Sequence, residues 1–155
     1  MLYRFSAATL SLGVAAFLFS ALLPQVSASN IPTTSPQPQA NADKFVHDTL
    51  RVWQERMNLK DWDIRIELVR ADKLEPKTLG NIHWDADVKQ ATIGVLSPQD
   101  YRLPYNAMLA DMEVTVVHEL VHLELASLPR SDASRRVEER AVNEITAALL
   151  RLARR

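Results

Sequence analysis

Residues 118–122 read His-Glu-Leu-Val-His. On a helix, positions i and i+4 lie on one face, a single turn apart. His118 and His122 would then offer ring nitrogens to one metal ion, at about 2.0–2.1 Å for zinc. Glu119 stands one residue along, beside the same point. It is placed to take a proton from water without filling a coordination position. The motif sits in an apolar run, VTVVHELVHLEL. Three polar side chains among so many valines and leucines would be costly in a core unless a shared partner satisfied them.

A catalytic zinc usually has three protein ligands and an open position. The chain has no cysteine, so the third ligand must be an imidazole or a carboxylate, and disulfides are excluded. His47 belongs near the start of the first helix and reads as a surface residue. The last helix offers Glu138, Glu139 and Glu144. Glu139 has Asn143 one turn on, an amide suited to steadying a ligand. Glu138 has Val142 at that offset. Glu139 is therefore preferred as third ligand, with Glu138 as the alternative, and Glu144 reads as a solvent-facing charge.

These residues need elements to hold them. Phe45, Val46, Leu50, Trp53 and Met57 recur at three- and four-residue steps and predict a helix over 43–58. Residues 62–69 alternate, with Trp62, Ile64, Ile66 and Leu68 on one face, and predict a half-buried strand. Residues 79–85 and 90–96 predict two further strands, joined through Asp85-Ala86-Asp87 as a hairpin. Residues 70–78 and 97–107 carry prolines and read as loops. Asp111 is the expected cap of the HELVH helix, which should run to about 125. A final helix is expected over 134–153, with Val142, Ile145, Leu149 and Leu152 inward. The order predicts an α+β fold: a small three-stranded sheet with an N-terminal helix, the HELVH helix and a C-terminal glutamate helix.

The N-terminus has the pattern of an export signal: Arg4, an apolar stretch over 6–23, Pro24, then Val26-Ser27-Ala28. Residues 1–28 are expected to be a signal peptide, with a membrane anchor over 5–23 as the alternative. Residues 29–42, rich in Pro, Ser, Thr and Gln, are expected to be a flexible linker, and 43–155 the folded domain. The protein would then be periplasmic or secreted, touching a membrane only if the N-terminal segment is uncleaved. A net charge of −1 points away from nucleic-acid partners. Seven arginines in the last 26 residues face four acids and read as a solvated helix surface.

HELVH, with Glu139 17 residues after His122 and Asn143 four residues later, resembles the gluzincin zinc metallopeptidases. The compact size is similar to that of the minigluzincins, and the stretch from Trp62 to HELVH is similar to short bacterial and phage HExxH proteins. The resemblance spans roughly residues 43–152. It implies a zincin-like fold, a Zn²⁺ ion on His118, His122 and Glu139, and hydrolysis of peptide substrates with Glu119 as general base. It also implies a His or Tyr that steadies the intermediate, for which His83, Tyr101 and Tyr105 are candidates. The strand over 90–96 is a candidate edge for an extended peptide. The alternative is a catalytically weak or inactive zinc-binding module.

Overall fold

A computed structural model describes residues 36–129 and 131–155 of the protein. The expected export signal lies outside the described residues. Among those residues, no helix is long and apolar enough to cross a membrane.

The first helix, α1, spans Pro36–Arg56. It therefore begins seven residues inside the segment expected to be a linker, and the domain boundary moves from 43 to 36. Two physical features explain this. Proline costs little in a first helical turn, where its missing N–H has no partner to lose. Ala42 extends the apolar stripe one turn back and is fully buried. The stripe then runs Ala42, Val46, Thr49, Leu50 and Trp53, all buried. Asn58 ends the helix. Its φ of 57° is the left-handed conformation that asparagine tolerates. Asn58 N donates to Glu55 O and Leu59 N to Gln54 O, the paired bonds of a Schellman cap. Gln54 Nε2 donates on to Leu59 O and Trp62 O, which ties this turn to the next strand.

The strands are β1 (Asp63–Val69), β2 (Gly80–Asp85) and β3 (Gln90–Leu96). Their order is β1-β3-β2, with β1 parallel and β2 antiparallel to β3. Asp85 Oδ1 accepts from the backbone N–H of Asp87 and Val88, so the expected hairpin is built on an aspartate turn. The central position of β3 corrects the expectation that it is an edge. Both of its sides are paired, and among the described residues β2 is the outer strand beside the HELVH helix. The signal was present in composition. QATIGVL holds no charge, and all its residues but Gln90 and Thr92 are buried, as a strand enclosed on both sides requires. Ile66, Ile93 and Ile82 share one register row and, by alternation, one face. That face joins the core formed by the helices.

Helix α2 spans Tyr105–Glu124 and α3 spans Asp132–Ala153. The structure caps α2 at Pro104, with Met108 N donating to Pro104 O, and not at Asp111. The first turn of α2 is exposed, so it left no apolar signal ahead of Met108. Val116, Val117 and Leu120 are fully buried. Each contributes about 1.5–3 kcal/mol by leaving water, and together they fix the rotation of α2 about its axis. The inner face of α3 also differs from expectation. Val142, Thr146 and Leu150 are buried and Leu149 packs on the core, whereas Ile145 and Leu152 are exposed. A helix held mainly by one neighbour, α2, needs only a narrow stripe, and its remaining apolar residues stay in solvent. Glu113 links the three helices. It accepts from Trp53 Nε1 of α1 at 3.3 Å and lies 3.7 Å from the Arg154 guanidinium of α3.

Candidate metal centre

Helix α2 delivers His118 and His122 to one point, and α3 brings Glu139 to meet them. His118 Nε2 and His122 Nε2 lie 3.1 Å apart. The Glu139 carboxylate approaches them at 3.6 Å and 3.3 Å. Three ligand atoms held tetrahedrally at about 2.0–2.1 Å from one ion stand roughly 3.3–3.4 Å from each other. The observed spacings, which reach a different Glu139 oxygen from each imidazole, lie near that value, so the three side chains could gather on one metal ion. These three residues form a group that could hold a metal ion. The Glu139 side chain is about half exposed (48%), whereas that of His122 is buried (11%), so the site opens on the glutamate side.

Each imidazole has a further partner. His122 Nδ1 lies 3.1 Å from Glu138 Oε1. A carboxylate there makes Nδ1 the donor, which leaves the Nε2 lone pair free for a metal. His118 is hydrogen-bonded by the Asn143 side chain. The adjacent pair Glu138-Glu139 is thus divided. Glu139 meets the two Nε2 atoms, and Glu138 orients His122 from behind. Glu138 is thus not the alternative third ligand that its place in the sequence suggests. Changing Glu138 to Gln is expected to weaken metal affinity about 10–100-fold without abolishing it. Competition titration with a chromophoric chelator would measure this, and unchanged affinity would deny Glu138 its orienting role.

Burial lowers the pKa of His118, as does the neighbouring His122, against the opposite pull of Glu139 and Asn143. The neutral imidazole that a metal requires is therefore the favoured form. Glu119 is buried (6% exposed). Burial first, and then the Glu139 charge, push its pKa up to about 8. A cation between these carboxylates would act in the opposite direction.

Gly80 explains how β2 comes so close. A Cβ at this position would lie 2.4 Å from Thr115 Cγ2, 2.9 Å from Gly94 O and 3.1 Å from Glu119 Oε1. Only glycine lets the edge strand lie against the helix face that carries Glu119. A lone glycine within a strand pattern signals close backbone approach, and Gly80 carries that signal in the sequence. Gly80→Ala should destabilise the fold by about 1–3 kcal/mol, as overpacking does. An unaltered melting temperature for that variant would show that the contact relaxes freely.

The centre forms the floor of an open cleft of ≈1050 Å³. That exceeds the roughly 300–1,000 Å³ typical of small-molecule pockets. One wall is β2 and the residues leading into it, from Thr78 to Trp84. His83 lines the cleft at its edge, but alternation pairs it with Thr92 on the sheet face away from Ile82 and Trp84. Tyr101 packs on the core beside Asp111 and Thr115, and burial raises its pKa far above normal. Tyr105 is exposed at the start of α2. Neither tyrosine lines the cleft, and His47 caps back onto Asp43 O in α1, away from the centre. Glu144 is exposed and paired with Arg140, as expected of a solvent-facing charge.

Comparison with family models, with characterised proteins and with solved structures finds no match to this chain.

Proposed function

We propose that the protein is a zinc-dependent peptidase of gluzincin type, acting outside the cytoplasm. The observation that carries this reading is the convergence of His118 Nε2, His122 Nε2 and the Glu139 carboxylate, with contacts of 3.1–3.6 Å, beside the buried Glu119. Zinc held there would supply a Lewis acid that polarises a peptide carbonyl and acidifies water. Glu119 takes the proton from the attacking water and returns it to the departing amine. Among the described residues β2 is the outer strand on this side of the sheet and lies along the same cleft, and an outer strand suits an extended peptide, bound without strict sequence demand. The N-terminal signal pattern supports the placement outside the cytoplasm.

The test is metal content and peptide cleavage measured on one preparation. About one zinc per chain, with cleavage of an unbiased peptide library that a chelator stops, would support the reading. Absence of zinc binding after metal addition would overturn it.

A second reading, a zinc-binding module with little catalysis, is favoured by one observation. Among the described residues, no tyrosine lines the cleft, and the side chain of His83 is directed to the opposite sheet face. Stoichiometric zinc without cleavage of any library member would select it.

A further inference from the structure

The charges along the cleft are unevenly distributed. Four carboxylates line it: Glu75, Glu119, Glu138 and Glu139. Three of them are committed to the centre, with Glu119 buried, Glu138 on His122 Nδ1 and Glu139 on the two Nε2 atoms. That leaves Glu75 against three cations, Lys73, Lys77 and Arg135. None of the three cationic side chains has a hydrogen-bond or ion-pair partner among the described residues.

The segment carrying the two lysines is built rigidly. At its start, Arg70 Nε and a terminal guanidinium nitrogen donate to the two Asp100 carboxylate oxygens, both at 2.8 Å. Ala71 N donates to the same carboxylate at 2.9 Å. Leu74 is buried in its middle, and Leu79 O accepts from Leu96 N at its end. Between them, Glu75-Pro76-Lys77-Thr78 forms a turn closed by Thr78 N on Glu75 O at 3.1 Å. Proline suits the second position of such a turn, and the third needs a positive φ, which favours glycine or asparagine. Lys77 occupies it with φ 71°. A lysine stands where glycine would fit with less strain, on a fixed loop, at the wall of the cleft. Stability gives no reason for that choice, and strain of this kind is often retained for function. On the opposite side, Arg135 lies one helical turn before Glu138 and Glu139.

We infer that the cleft selects peptides bearing carboxylates, held by Lys77 and Lys73 on the loop and by Arg135 on α3. This rests on the peptidase reading for its ligand class and deepens it. The carboxylates are Asp or Glu side chains or a free C-terminus, which present the same chemistry to an ammonium or guanidinium group.

The experiment measures peptide affinity, independent of turnover. Fluorescence anisotropy would be read on the full chain in the Glu119→Gln background with zinc supplied, so that peptide is not consumed. The probes are labelled peptides rich in Asp and Glu, and their Asn and Gln counterparts, each with a free and an amidated C-terminus. Acidic or free-carboxylate peptides are expected to bind about tenfold more tightly at low salt, an advantage that shrinks as salt rises. Lys77→Gly should weaken that binding roughly three- to tenfold while leaving neutral peptides and the melting temperature unharmed. Lys73→Gln should act in the same direction. An advantage lost on amidation assigns the terminal carboxylate, and one kept assigns the side chains; both support the inference. Equal affinity for acidic and neutral peptides would overturn it, as would an equal loss for both in Lys77→Gly. Failure of the peptidase reading looks different: selective binding with no cleavage by the parent protein sinks that reading alone, and cleavage without charge preference sinks this inference alone.

Discussion

The Glu119→Gln protein should bind zinc with the stoichiometry of the parent and hydrolyse peptides about 10²–10⁴-fold more slowly. The substitution preserves shape in a tight place. Glu119 is buried, and its Oε1 lies where even a methyl group on Gly80 would touch it at 3.1 Å. Glutamine fits the same volume. It keeps a hydrogen-bonding oxygen and loses the ability to take a proton. The metal should stay, because the convergent donors are His118, His122 and Glu139, without Glu119. Steady-state cleavage rates beside metal analysis of the same samples would separate the two effects. Full activity in Glu119→Gln would remove Glu119 from the chemistry. Loss of zinc together with activity would make Glu119 a ligand, and the spacing argument for Glu139 would then fail.

Much of this arrangement was legible in the chain, for identifiable reasons. His118 and His122 are set by helical periodicity within an apolar run, and packing of Val116, Val117 and Leu120 enforces that register. The first strand follows from strict alternation and the other two from short runs flanking an Asp-Ala-Asp turn, and the bounds of all three lie within a residue of expectation. Glu139 with Asn143 also behaves as a pair one turn apart should: one meets the Nε2 atoms and the other holds His118. The features that escaped depend on neighbours far along the chain. Strand order is one, since local alternation cannot say which strand lies between the other two. The role of Glu138 is another: it depends on how α3 rotates against α2, which sequence leaves open. The inner face of α3 failed for the same reason, because a helix with one main neighbour buries only a narrow stripe. The linker boundary failed on composition. Pro, Gln and Asn over 36–41 resemble a spacer, yet they begin a helix because Ala42 and Val46 have a core to enter.

On the zinc-peptidase proposal, removing the metal should cost the domain more than any change to a surface charge. The centre gathers His118, His122, Glu119 and Glu139 within a small volume, two of them buried. Without a cation, burial and the Glu139 charge hold Glu119 towards its protonated form, and the two Nε2 atoms lie 3.1 Å apart. An ion bound only by the folded chain, at a concentration 1,000 times its dissociation constant, stabilises by about 4 kcal/mol. For a domain of this size that corresponds to roughly 10–20 °C in melting temperature. Chelation should therefore lower the melting temperature of the parent by that order. His122→Ala should begin near the lower value and show no further response to chelator or to added zinc. His122 is the more telling of the two histidines because its removal also takes from Glu138 the Nδ1 contact at 3.1 Å. The loss should exceed that of Glu138→Gln, which keeps all three ligands. Differential scanning calorimetry with and without chelator would measure each term. A parent protein that melts at the same temperature in both conditions would mean that the two histidines are satisfied by Glu138, Glu139 and Asn143 alone. The site would then be a buried polar network, with no metal needed to hold it together.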